Sequence, residues 1–199
     1  MLLGLPIPGP IIVLDPVQNV LLAGSVDAGY PNLLQHFAVD PAHPEERLIA
    51  AIAKRLSQWT KVHAVVSFDE WIKNIDRNLQ NILWDGHDKF VLIDHGQSLG
   101  LAIGDSNKLL EMVLAVSDAN DKETVRRAVL DVARQFTNVP ALRAAKEVSE
   151  SPVSVAVDAA AFVDFLSQRL PQLNGLLNRR FPPSPQPELD LEDEDVRDG

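Results

Sequence analysis

No cysteine occurs among the 199 residues, which removes disulfides, thiolate catalysis and cysteine-based zinc sites together. Bases are scarce as well: 18 Lys+Arg stand against 28 Asp+Glu, a formal net charge of −10. No basic run is longer than a pair such as Arg126-Arg127 or Arg179-Arg180. Duplex affinity depends on clustered Lys and Arg neutralising phosphates, so nucleic acid is excluded as a partner. The first base is Arg47, and the apolar residues 1–20 therefore lack the positive start of a signal peptide. Pro6, Pro8, Pro10 and Pro16 interrupt the same stretch as a membrane span. These absences predict a cytoplasmic protein without a membrane partner. His36, His43, His63, His87 and His95 show no ligand spacing, which argues against a structural zinc site. Ser25, Ser98 and Ser106 have no adjacent base to support a hydrolase triad.

What is present suffices for a self-supporting fold. Hydrophobic residues make up 46% of the chain, and a domain of this size buries about 70% of its unfolded surface. Six of the ten net negative charges fall within residues 188–198, which hold seven acids against Arg197. With Pro182-Pro183-Ser184-Pro185-Gln186-Pro187 leading into them, residues 182–199 are expected to form a disordered, proline-linked acidic tail. Such a tail serves either solubility or interaction.

The rest divides by pattern. Residues 5–14 and 17–22 are β-branched and punctuated by proline, predicting two short strands, with a loop over 30–44 that holds a helical turn near Asn32 to Phe37. Leu48, Ile49, Ile52, Ala53 and Leu56 recur at helical spacing after Glu45-Glu46 and before Lys54-Arg55, as the helix dipole prefers. Ser67 with Glu70 reads as a capping box opening a helix over 68–75, which puts Asp69 in a first turn. Ile82-Leu83-Trp84, Asp85-Gly86 and Phe90-Val91-Leu92-Ile93 read as a β-hairpin with Ile82, Leu83, Leu92 and Ile93 buried. Residues 107–116, 122–136 and 158–170 are helical patterns, with Asp105-Ser106 and Asp121 as candidate caps. Trp59, Trp71 and Trp84 occupy core-like positions. The expected class is α+β and mainly helical, with residues 1–40 as strands, 41–181 as a helical domain and 182–199 as tail.

Three Asp/Asn pairs share a spacing of five: Asp27/Asn32, Asp69/Asn74 and Asp76/Asn81. Asp76/Asn81 lies on a loop between a helix and a hairpin whose second strand runs into Ile93-Asp94-His95-Gly96. A stiff hairpin holds Asn81 and Asp94 close together as hard oxygen ligands suited to Mg²⁺. Asp76 can then orient an acceptor hydroxyl and take its proton, the division of labour found in phosphoryl transfer. Taken singly, each residue also has a structural explanation: Asp76 as a turn cap, Asn81 as a hydrogen-bonding strand entry and Asp94 as the partner of Arg77.

Residues 68–84, with Asp76-Arg77-Asn78-Leu79-Gln80-Asn81 at their centre, and Leu92-Ile93-Asp94-His95-Gly96 resemble the catalytic core of HipA-like kinases. Leu3-Gly4-Leu5-Pro6-Ile7-Pro8 is similar to that family's approach to the strand before the hinge, and the resemblance spans roughly residues 2–105. It implies a kinase-like catalytic lobe with a remnant of the smaller lobe. Asp76 is the implied base, Asn81 and Asp94 the Mg²⁺ ligands, and Leu22, Ala23, Gly24 and Ser25 a hinge against the adenine of ATP. Arg77 and His95 are implied as supporting residues, His95 through a hydrogen bond to Asp94 or to the loop of Asp76. Where the family commonly has His after Asp-Arg, Asn78 stands here. No Gly-x-Gly-x-x-Gly and no Lys before Lys54 occur, although kinases use both to hold phosphates. Two functions follow as expectations. One is the catalytic lobe of a protein Ser/Thr kinase of the toxin–antitoxin or phage-defence kind, completed by a partner chain. The other is a non-catalytic module that docks a protein, or a second copy, on the strands at its start.

Overall fold

A computed structural model describes residues 3–136 and 159–181. The acidic tail expected over 182–199 and the expected helix start at Asp158 lie outside the described residues. Among the described residues, no helix is long and apolar enough to cross a membrane.

Prolines at 6, 8 and 10 withhold backbone donors at the start, yet this segment is anchored. The Pro6 carbonyl accepts from Leu92 N at 2.8 Å, Lys61 Nζ donates to the Gly4 carbonyl at 2.6 Å, and Leu5 is buried. Strands β1 (Pro10–Asp15) and β2 (Val20–Ser25) then pair antiparallel, Pro10 opposite Ser25 and Asp15 opposite Val20. Asp15 Oδ1 accepts from the backbone N–H groups of Val17 and Gln18, and Asn19 takes a left-handed φ of 51°, which closes the turn. A two-stranded ribbon cannot bury both of its faces, and Ile11, Val13 and Leu14 are exposed.

Asn32 and Gln35 form a reciprocal capping box at α1 (Leu33–His36), where Leu33 is fully buried. Helix α2 (Glu46–Ser57) carries its acid first and its bases last, and buries Ile52, Ala53 and Leu56. Helix α3 (Val62–Ile72) is the centre of the molecule. Its observed start corrects the capping-box expectation: Ser67 lies mid-helix, fully buried, with Oγ donating to the His63 carbonyl at 2.9 Å and to the Val129 carbonyl at 3.2 Å. Val62, Val65 and Val66 extend the apolar face backwards, and packing outweighs the weak helix propensity of valine. Asp69 therefore belongs to the last turn, not the first.

A 3-10 turn (Leu79–Asn81) enters β3 (Ile82–Trp84), which pairs antiparallel with β4 (Phe90–Leu92), Ile82 opposite Leu92. Asp85 Oδ1 caps the turn through His87 N and Lys89 N, and Gly86 takes a φ of 87°. The rings of Trp84 and Phe90 stack at 5.6 Å. Ile82 and Leu92 are fully buried, whereas Leu83 and Ile93 are half-buried. Four helical segments follow: α4 (Lys108–Ala115), α5 (Ala119–Phe136), α6 (Ala159–Arg169) and α7 (Leu173–Asn178). The cap of α4 is Asn107 rather than Asp105 or Ser106, and Asp118 accepts from Asp121 N at the start of α5, so Asp118 rather than Asp121 caps it.

The fold is α+β, about half helical with short strands. One core joins Leu56 and Trp59 near α2, Val65 and Trp71 of α3, Trp84 of β3, Val129 of α5, and Leu173 and Leu177 of α7. All three tryptophans are buried. Each fully buried Leu or Val contributes about 1.5–3 kcal/mol, so this core fixes α3 and the β3–β4 hairpin as a rigid frame.

Candidate active site

The end of α3 turns the chain toward the hairpin. Lys73, at a left-handed φ of 52°, terminates the helix, and Asn74 N donates to the Asp69 carbonyl at 2.8 Å. The Asp69 carboxylate faces Arg77, and both side chains are completely buried. Arg77 Nε donates to Asp69 Oδ2 and Nη2 to Oδ1, each at 3.0 Å, a bidentate pair. Burial pushes the Asp69 carboxyl up, and the Arg77 guanidinium and the Asn74 amide pull it back. The remaining guanidinium nitrogen, Nη1, donates to the Ile93 carbonyl at 2.7 Å and the Asn81 carbonyl at 3.2 Å. One buried side chain thus ties the helix end to both arms of the hairpin.

The loop is braced from within by its own amides. Asn74 Nδ2 donates to Asp69 Oδ1 at 3.0 Å, and its Oδ1 accepts from Asp76 N at 3.1 Å. Asn81 Nδ2 donates to the Asp76 carbonyl at 2.7 Å, and Ile93 N donates to the Asn81 carbonyl at 3.1 Å. Asp76, Asn81 and the residue before Asp94 are therefore linked by direct bonds. Asp94 follows at a φ of 50°, exposed, with Oδ1 accepting from Gly96 N at 3.1 Å.

The alternative pairing of Arg77 with Asp94 is corrected by this geometry, because the guanidinium is committed to Asp69 and two carbonyls. His95 is half-buried, its Nε2 bonds to neither Asp94 nor the Asp76 loop, and Ser98 Oγ donates to its carbonyl at 2.5 Å. Burial, with the nearby Arg77 charge, lowers the imidazole to about 4. Leu22, Ala23, Gly24 and Ser25 lie on β2 itself, paired with Val13 back to Pro10.

Three neighbours of the site escaped the sequence reading. Asp69 and Asn74 carry the same five-residue spacing as Asp76 and Asn81, but a helix placed six residues late disguised Asp69 as a first-turn acid. Lys108, the first residue of α4, reaches back across 32 positions to Asp76 Oδ1 at 2.5 Å. Its hydrogen bond holds the Asp76 carboxyl below the usual carboxylate range. The one available signal was a lysine in a first helical turn, where the dipole disfavours it.

A family model described as HipA-like kinase matches residues 1–141. The chain belongs to the HipA-like kinase family. No curated protein and no solved structure matches it. Membership explains why a short α+β fold with few strands carries a helix–loop–hairpin frame of this kind: it is a partial kinase-like fold. Kinases of such a family in general use ATP with Mg²⁺. Among the described residues no three His, Cys, Asp or Glu side chains converge as a metal cage. An Asn oxygen and one carboxylate fit Mg²⁺ nonetheless, since this ion keeps waters and phosphate oxygens in most of its positions. Because Asn81 Nδ2 is engaged by the Asp76 carbonyl, its Oδ1 is the amide atom left to serve as a ligand.

Proposed function

We propose that this HipA-like kinase chain carries the catalytic lobe of an ATP- and Mg²⁺-dependent protein Ser/Thr kinase. Asn81 and Asp94 hold Mg²⁺, which when bound neutralises phosphate charge. The backbone of Leu22, Ala23, Gly24 and Ser25 meets adenine. An acceptor hydroxyl forms the new bond to the γ-phosphorus as the bond to the β-phosphate oxygen breaks; ADP leaves, and the hydroxyl proton passes to Asp76. Arg77 is a positioning residue, and His95 packs behind the metal-binding turn, edge-on to Phe68 at 6.1 Å. The observation that carries the reading is the Arg77 clamp. It holds the Asn81 and Ile93 carbonyls on a buried Asp69, and such fixed geometry is what phosphoryl transfer requires.

The phosphate-covering loop and its lysine come, in this proposal, from a second polypeptide. Lys54 does not supply the latter: it lies on α2, 53% exposed, 3.8 Å from Asp121. Residues 1–40 then act as strands and hinge, 41–181 as the catalytic lobe and 182–199 as a tail. The test is Mg²⁺-dependent nucleotide binding by the full chain, purified with and without its associated polypeptide. Binding that is lost in Asp94→Asn supports the reading, and no binding in either preparation refutes it.

A second reading is favoured by one observation. Ile11, Val13 and Leu14 are 42%, 49% and 55% exposed on the first ribbon, a surface typical of protein interfaces. A kinase-fold module without catalysis uses that ribbon to bind a protein chain or a second copy. Light scattering that returns a stable monomer, unchanged by Leu14→Lys, counts against it.

A further inference from the structure

Lys108 stands where local rules disfavour it. As the first residue of α4 it lies at the positive end of the helix dipole, where a cation is disfavoured. The surrounding bonds nevertheless lock that helix start against the candidate base. Asn107 Oδ1 accepts from Leu110 N at 3.2 Å, while its Nδ2 donates to the Val66 carbonyl at 3.0 Å and to Glu70 Oε2 at 3.3 Å. Ser106 Oγ donates to the Ile75 carbonyl at 3.1 Å. Residues 106–108 are thus laced to the loop, and the ammonium of Lys108 comes to rest on Asp76 Oδ1. Violations of local preference that the tertiary structure enforces concentrate at functional positions.

The two cations beside Asp76 differ in freedom. Arg77 is buried and held by four hydrogen bonds, so its charge belongs to the scaffold. Lys108 is 44% exposed and makes one carboxylate contact, although an ammonium has three donors. An ion pair this open is weak and exchanges partners readily. While it lasts, it occupies an oxygen with which Asp76 would accept a proton. A triphosphate brings a higher charge and more acceptor oxygens than one carboxylate, and therefore outcompetes it for the ammonium.

We propose that Lys108 receives the terminal phosphate of a bound nucleoside triphosphate, exchanging Asp76 for it, so that the base is released only when a transferable phosphate is in place. This rests on the kinase reading above. The exchange makes Lys108 a phosphate-binding residue supplied by the helix after the proposed metal-binding turn, outside the loop that bears Asp76 and Arg77. It also gives the site a preference for triphosphate over diphosphate that Asn81 and Asp94 alone do not provide.

The experiment is calorimetric titration of the full chain, with its associated polypeptide retained, using a Mg²⁺-bound non-hydrolysable ATP analogue and Mg²⁺-ADP. Lys108→Met keeps the side-chain stem and should raise the Kd for the ATP analogue about tenfold, ~1.4 kcal/mol, while leaving that for ADP within about twofold. Equal losses for both nucleotides, or no loss, overturn the inference. Asp76→Asn provides an independent reading should the first variant fold poorly: removing the competing carboxylate should tighten the ATP analogue selectively, and unchanged or weaker binding overturns the exchange. If the wild type binds neither nucleotide, the kinase reading fails and this inference fails with it; wild-type binding with an indifferent Lys108→Met sinks the inference alone.

Discussion

The clamp between Asp69 and Arg77 makes the strongest demand on experiment. Both side chains are wholly buried, and the guanidinium makes four hydrogen bonds, two of them to backbone carbonyls at the hairpin ends. Arg77→Met preserves much of the volume but strands a carboxylate without its cation. Removing one partner of a buried pair costs about 3–5 kcal/mol, and the Ile93 carbonyl, orphaned where the Asn81 carbonyl keeps its bond from Ile93 N, adds about 1–3 kcal/mol. Against a total stability of about 5–15 kcal/mol, the single variant should lose a large fraction of its folding free energy. Asp69→Asn leaves the opposite charge uncompensated and should cost a similar amount. The double variant should cost clearly less than the sum, because neither buried charge is then opposed by an empty partner site. Only the loss at the Ile93 carbonyl persists in it. Urea midpoints for the four proteins close the cycle. Additive effects, or a cost below about 1 kcal/mol for Arg77→Met, would refute the reasoning, since the pair could not then be the strut that positions the loop.

Two further perturbations test other parts of the frame. Asn107→Ala removes a helix cap and two buried donor contacts, and should cost about 1–2 kcal/mol, with a fall in Tm of a few degrees; a melt indistinguishable from wild type would contradict the cap assignment. His63 and His95 are both held below their ordinary range by burial, His95 at about 4. Their unfolded forms take up a proton first, so stability is complete above pH 6.5, the ordinary value, and declines as pH falls from there toward 4. His95→Asn, unable to titrate, should show a shallower decline in urea midpoint between pH 7 and 5 without added metal, and identical slopes would reject the assignment.

Much of this architecture is legible from neighbours close in sequence. The hairpin follows from Asp85-Gly86 flanked by apolar runs, and its observed register, Ile82 opposite Leu92, needs only a tight turn. Helix α2 follows from apolar spacing and dipole-matched ends. That Asn81 precedes and Asp94 follows the hairpin also follows from spacing. The start of α3 does not, because Ser67 imitates a cap while its hydroxyl is satisfied by the Val129 carbonyl, 62 residues away. Asp69 was missed for the same reason.

By itself, the sequence determined that helix α2 and the β3–β4 hairpin form and that Asn81 precedes and Asp94 follows that hairpin. Those depend on periodicity, turn chemistry and spacing, all of them interactions within a few residues. The tertiary structure alone decided which charges are scaffold and which are free to act. Arg77 is immobilised by complete burial against Asp69, eight residues away, and Lys108 is carried to Asp76 by a helix start 32 residues downstream. Whether a charge is buried and held or exposed and exchangeable depends on what packs around it, and packing is set by elements distant in the chain.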